Sequence, residues 1–215
     1  MSEPIEVQLK SDVQIAMARL QDSVLEAALE IDIGIILHGG TSIWRCYNGN
    51  RFSEDIDIYA NDLQARKIKN TLTWALSKRG INLEYPNYTN MIFTASSNSS
   101  MVKLEIMKPK SGINTTQKEY LRANGSRLIV TTLPVKDLIK EKIDAYISRK
   151  YVRDLYDIYH LASIESLDGK CSEMLKEFIK HVESPVDQGK LEDLIYSGIS
   201  PSFDTMVDYI KSRLK

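Results

Sequence analysis

Between residues 31 and 59 the chain changes its hydrophobic period twice, and this constrains the fold more than any other stretch. Ile31 to Leu37 is a short, almost wholly apolar, β-branched run that halts at Gly39-Gly40, so it reads as a strand buried on both faces. Thr41 to Tyr47 reads as a short helix that begins at the glycines, and Asn48-Gly49-Asn50 ends it as a turn. From Glu54 to Tyr59, Ile56 and Ile58 alternate with Asp55 and Asp57. Period two sends the isoleucines to a core and the aspartates to an open face.

The remaining chain supplies the material to pack around this stretch. With 215 residues and 43% hydrophobic content, it can form one substantial domain, or a core with a smaller appended unit. Ser11 to Glu30 carries an apolar stripe at three-to-four spacing behind a Ser11 N-cap and predicts a helix. Asp62 to Lys78 predicts a second, ended by Gly80, with Leu63, Ile68, Leu72, Ala75 and Leu76 inward and a solvated basic face outward. Ile81–Tyr85, Met91–Ala95 and Met101–Met107 read as strands separated by Pro86-Asn87 and by Ser96–Ser100. In the last, Val102, Leu104 and Ile106 share one face and Lys103, Glu105 and Met107 the other.

Residues 108 to 124 fit either a loop with a helical turn or a strand, and Arg127 to Thr131 predicts a strand. After Pro134 the chain reads as helical: Val135–Ser148, Tyr151–Ile164, Ser172–Val182, Asp187–Tyr196 and Phe203–Leu214. The shift near residue 133 divides the chain into a mixed core, residues 1–133, and a C-terminal helical unit, residues 134–215.

Composition narrows the function classes. A net charge of -1, from 28 basic and 29 acidic residues, gives no global attraction to nucleic acid or an anionic membrane. A polyanion would have to bind a local patch, for which Lys103, Lys108, Lys110, Lys140, Lys142, Arg149, Lys150 and Arg153 are candidates. Cys46 and Cys171 read as reduced thiols, which makes a cytoplasmic protein the expectation. The opening MSEPIEVQLK lacks an apolar h-region, and no run approaches the roughly 18 apolar residues of a span. Neither signal peptide nor transmembrane helix is expected. His38, His160 and His181 lack metal spacing, and only His38, beside the glycines, invites attention.

The chemistry lies in the glycines and acids. A strand followed by Gly39-Gly40-Thr41 and a helix start can aim backbone N–H groups at phosphate oxygens, although two glycines alone equally make an ordinary strand-to-helix turn. No Walker A loop or Rossmann fingerprint is present. Aspartates at i and i+2 on a strand lie about 6.5–7 Å apart at Cα. They can converge on one cation or straddle two metals roughly 3.5–4 Å apart. Glu105 from a neighbouring strand would complete an oxygen-rich site suited to Mg²⁺.

GGT followed by RFSEDIDIY resembles the first motif of the nucleotidyltransferase fold of the DNA polymerase β superfamily, in the form typical of the AbiEii/AbiGii-type nucleotidyltransferase toxins. KDLIKEKIDAYISRKYVRDLYDIYHLA resembles the later motifs of that family, and the match spans Leu37 to Ala162. The resemblance implies an α+β nucleotidyltransferase fold, a mixed β-sheet flanked by helices with a C-terminal helical bundle. It implies transfer of a nucleoside monophosphate from an NTP to an acceptor, with Mg²⁺ or Mn²⁺ as cofactor. By analogy with relatives, the acceptor is the tRNA 3′ end, and the chain is the toxin of a type IV toxin–antitoxin pair with a cognate antitoxin protein as partner. Small-molecule or protein acceptors, or a non-catalytic nucleotide-binding module, stay open.

Carried over by residue, the resemblance gives Gly39, Gly40 and Thr41 to the β- and γ-phosphates and Asp55 and Asp57 to the metal ions. Glu105 falls to the third carboxylate, as ligand or general base. Lys142 would reach the triphosphate, and Asp154 or Asp157 would face the nucleotide or help activate the acceptor. Arg51 and Ser53 match the lead-in, either touching phosphate or holding the loop by hydrogen bonds. Without the resemblance, the acids of residues 149–157 would read as ordinary i,i+4 ion pairs on a solvated face.

Overall fold

The computed structural model describes residues 4–87, 91–98, 100–164, 167 and 169–214. After a short helix, α1 (Ile5–Gln8), comes α2 (Asp12–Ile31), capped by the Ser11 side chain, which accepts from the Gln14 N–H. Then follow β1 (Ile36–His38), α3 (Gly39–Cys46), β2 (Ile56–Tyr59), α4 (Asp62–Ser77), β3 (Asn82–Asn87), β4 (Ile92–Ser97), β5 (Ser100–Met107), β6 (Thr116–Leu121) and β7 (Arg127–Thr132). The C-terminal part holds α5 (Val135–Arg149), α6 (Val152–Ile164), α7 (Gly169–His181), a 3₁₀ turn at Gln188–Lys190, α8 (Leu191–Leu194) and α9 (Phe203–Arg213).

The strands form one mixed sheet in the order β3-β4-β5-β2-β1-β7-β6. The inner contacts β2–β5 and β1–β7 are parallel, whereas β1–β2 and the outer hairpins are antiparallel. Period-two patterning explains the layers. Ile56 and Ile58 of β2, Phe93 and Ala95 of β4, and Val102, Leu104 and Ile106 of β5 bury one face beneath α2 and α4. On the opposite face Tyr59 joins Ile43 of α3, Tyr47 just beyond it, Leu133, and the apolar stripes of α5, α6, α7 and α9 in a second core. The expected α+β architecture is the one observed.

Several local readings need correction. The strand anticipated over Ile31 to Leu37 keeps only Ile36 to His38, because α2 runs on to Ile31 and Asp32 then accepts the Gly34 N–H in a turn that leaves Ile33 exposed. Leu63 points to solvent in the first turn of α4, where the Asn61–Gln64 capping box fixes the helix start. Pro86 and Asn87 belong to β3 rather than to a turn, with a register shift between Glu84 and Asn87. The open segment 108–124 supplies β6, an edge strand. Residues 187–196 form the 3₁₀ turn and α8 rather than one helix, and Ile195 makes a bridge to Arg51.

Candidate active site

Strand register gathers the acids. Asp57 pairs with Glu105 across the parallel β2–β5 ladder and with His38 across the antiparallel β1–β2 ladder. Directly paired residues project from the same side of a sheet, so these three side chains stand on the face away from α2 and α4. Asp55 sits just before β2, and its carbonyl accepts the Thr41 hydroxyl, which ties α3 to the acid-bearing strand. Glu105 accepts from Lys103 Nζ at 3.0 Å. Burial pushes the Asp57 carboxyl above its ordinary range, and Asp55 and Glu105 push the same way, whereas His38 and Lys142 pull against them. Such a carboxylate favours either a proton or a cation beside it.

The glycine pair has a steric reason at each position. Gly39 holds φ +70°, and a Cβ there would lie 2.2 Å from Asp57 Oδ2. Gly40 admits Arg51 and Ser53, since its Cβ would meet Arg51 Nη2 and Ser53 Oγ at 2.6 Å each. The helix they open, α3, has no side-chain cap. Its first N–H groups therefore lack a capping acceptor, and its dipole presents partial positive charge beside Asp57.

Opposite, α5 and α6 contribute a buried ion network. Arg51 grips Asp157 through Nε and Nη2, both at 2.6 Å, and Lys142 Nζ lies 2.7 Å from Asp157 and 3.6 Å from Asp154. Arg149 closes the network on Asp154 at 2.7 and 2.8 Å. Burial alone would raise the Asp157 carboxyl, but Arg51 and Lys142 overcome it and hold the group below the usual carboxylate range. Asp154 and Asp157 are thus sealed among cations rather than open to a cleft. The i,i+4 pairs read from sequence are replaced because Lys150, at φ 51°, ends α5 in the left-handed region and turns the chain before α6. Ser53 is held through its carbonyl by Gln21 Nε2 of α2 at 2.7 Å.

Sequence reading missed Glu141 and Tyr59. The Glu141 carboxylate accepts from the Tyr59 hydroxyl at 2.6 Å and meets His38 Nδ1 at 3.3 Å, while the His38 ring stacks flat on Tyr59 at 3.7 Å. The outward half of the alternation in β2 was the available signal for Tyr59; nothing local marks Glu141. The basic patch is largely neutralised: Lys103, Lys108, Lys110, Lys142, Arg149 and Lys150 each face an acid. Burial pushes the Cys46 thiol up to about 12, which leaves it unreactive.

Among the described residues, no three His, Cys, Asp or Glu side chains already form a metal cage, and no helix is long and apolar enough to cross a membrane. The donors beside Gly39 are nonetheless hard carboxylate oxygens. Such donors fit Mg²⁺, which takes one or two carboxylates and completes its shell with water and substrate phosphate.

A family model described as nucleotidyl transferase AbiEii toxin, type IV TA system, matches residues 20–203. Among solved structures, the chain is similar to the nucleotidyltransferase toxin MenT4 from Mycobacterium tuberculosis, with TM-score 0.67 and 15% identity over 98% of this chain and 86% of that one. JHP933 from Helicobacter pylori gives TM-score 0.61 at 18% identity, covering 95% and 91% of the two chains. The antibiotic-resistance factor ANT(2″)-Ia gives 0.50 at 14% identity, covering 78% and 92%. At these identities the structural likeness is one of fold. No curated protein matches the sequence.

Proposed function

We propose, for a chain that belongs to the AbiEii family of nucleotidyl transferase toxins, a Mg²⁺-dependent transfer of a nucleoside monophosphate from an NTP to an acceptor hydroxyl. The observation that carries this reading is the contact between Gly39 and Asp57, where a Cβ would lie 2.2 Å from the carboxylate. It places a candidate metal ligand against the glycine that opens an uncapped helix, so a cation and a phosphate can be held side by side.

In this reading Asp55, Asp57 and Glu105 hold the metal, which when bound offsets the charge developing on the phosphates. Gly39, Gly40 and the backbone of Thr41 cradle the β- and γ-phosphates. The Thr41 hydroxyl stays on Asp55 and shapes the turn. Lys142, whose charge acts on both Asp57 and Asp157, lies at the edge of the triphosphate position. Arg51, Asp154 and Asp157 fix Lys142 and the loop through Ser53. Glu105 is either the third metal ligand or the base that takes the acceptor proton as the oxygen attacks the α-phosphorus and pyrophosphate departs. Residues 134–215 then act as the second wall of the cleft rather than as an independent module.

A cognate antitoxin is the protein partner we favour, because the family is one of type IV toxin–antitoxin systems, and the tRNA 3′ end is the acceptor we favour from the resemblance alone. The test incubates the protein with Mg²⁺, total RNA and each NTP labelled at either the α- or the γ-phosphate. The expected result is α-label on tRNA with none from γ. NTP binding without label on RNA, protein or small acceptors would favour a binding module instead.

A further inference from the structure

The His38 ring is 3% exposed, yet its Nε2 is buried without a hydrogen-bond partner among the described residues. Buried polar atoms are nearly always paired, and an exception at a site calls for an absent ligand or water. The rest of the ring is tightly fixed. Glu141 meets Nδ1 at 3.3 Å, Tyr59 stacks on one face at 3.7 Å, and the Tyr59 hydroxyl is itself held by Glu141 at 2.6 Å. A ring gripped on one nitrogen and one face, with the other nitrogen idle, is pre-organised for a partner that comes and goes.

Its position says which partner. His38 is the residue before Gly39, pairs with Asp57 across β1–β2 and projects from the same side of the sheet. It also lowers the Asp57 carboxyl through charge, so the two groups are close enough to feel each other. We propose that His38 is a positioning residue of the transfer site: Glu141 holds Nδ1, and Nε2 donates a hydrogen bond to a phosphate oxygen of the NTP bound beside Asp57. This assignment rests on the nucleotidyl-transfer reading above.

The two ring nitrogens are separable by substitution. The amide of His38→Asn can replace Nδ1 toward Glu141 but cannot reach the Nε2 position, whereas the longer His38→Gln can. The full-length protein and both variants are compared for their thermal midpoint alone, for the rise in midpoint with Mg²⁺ and a non-hydrolysable α,β-methylene NTP, and for KM and kcat in label transfer. The expected result is a KM for NTP raised roughly 10- to 100-fold in His38→Asn, with most of its ligand-induced rise lost. His38→Gln should recover both. Equal losses in the two variants, or recovery by Asn and not Gln, would overturn the assignment and leave His38 as a brace for Glu141.

A wild-type measurement removes dependence on variant folding. The chain has only three histidines, and His160 Nε2 is already committed to the Tyr47 carbonyl. In ¹⁵N-histidine spectra, the His38 Nε2 signal should move when the Mg²⁺–NTP analogue is added. A static His38 signal in a protein that transfers label contradicts this assignment alone. A wild-type protein that neither binds nor transfers any NTP contradicts the transfer reading, and this assignment falls with it.

Discussion

Half-buried Asp57 and fully buried Asp157 carry opposite electrostatic signatures, and each predicts its own behaviour. Asp57 is raised above its ordinary 3.8 by burial and by Asp55 and Glu105. Its stabilising contribution is present below that ordinary value and lost as pH rises through the raised one, so at neutral pH the ionised group opposes the fold until a cation arrives. Asp57→Asn should therefore raise the thermal midpoint without metal while removing the rise that Mg²⁺ produces, as scanning calorimetry can measure. Cation affinity of the wild type should fall as pH drops through that raised value, above 3.8. Asp157 is the reverse. Held below 3.8 by Arg51 and Lys142, it stabilises above that value and is lost as pH falls through its depressed one. Asp157→Asn leaves two buried cations short of a partner, which costs about 3–5 kcal/mol at neutral pH by urea unfolding.

At the scale of elements, the turn between β1 and α3 carries the strictest demand. Gly39→Ala meets a left-handed backbone, a cost of roughly 1–2 kcal/mol, and drives a methyl into Asp57, whose Oδ2 would lie 2.2 Å away. Transfer activity should fall on the order of 10²-fold or more, with a smaller loss for Gly80→Ala, also at positive φ but with open space around it. Circular dichroism alongside the activity assay separates the two effects. The facing of Asp57 and Glu105 was legible because strand alternation assigns faces locally: Ile56 and Ile58, like Leu104 and Ile106, mark the buried side and leave these acids on the other. The first strand was overread because an apolar run cannot by itself distinguish a helix end from a strand. Arg51–Asp157 and His38–Glu141 join residues 106 and 103 positions apart, and no local period encodes such pairs. The burial of Asp154 and Asp157 among cations was illegible for the same reason, since Arg51, Lys142 and Arg149 lie on other elements.

For the molecule as a whole, the elements beyond Leu133 are helical, and the packing runs across that point. Ile43, Tyr47, Tyr59 and Leu133 share a core with α5, α6, α7 and α9, and Glu141 and Lys142 reach back toward His38 and Asp57. A chain ended after residue 133 would expose that core and lose one wall of the site. It should be inactive and more susceptible to limited proteolysis than the full chain. We assign nucleotidyl transfer to the place where Asp57 meets the Gly39 turn, and α-labelled NTP transfer to total RNA in Mg²⁺ by the wild type and Asp57→Ala, both verified as folded, measures it. Label should appear on RNA with the wild type and fall on the order of 10³-fold or more in the variant. Undiminished transfer by Asp57→Ala would remove Asp57 from the reaction.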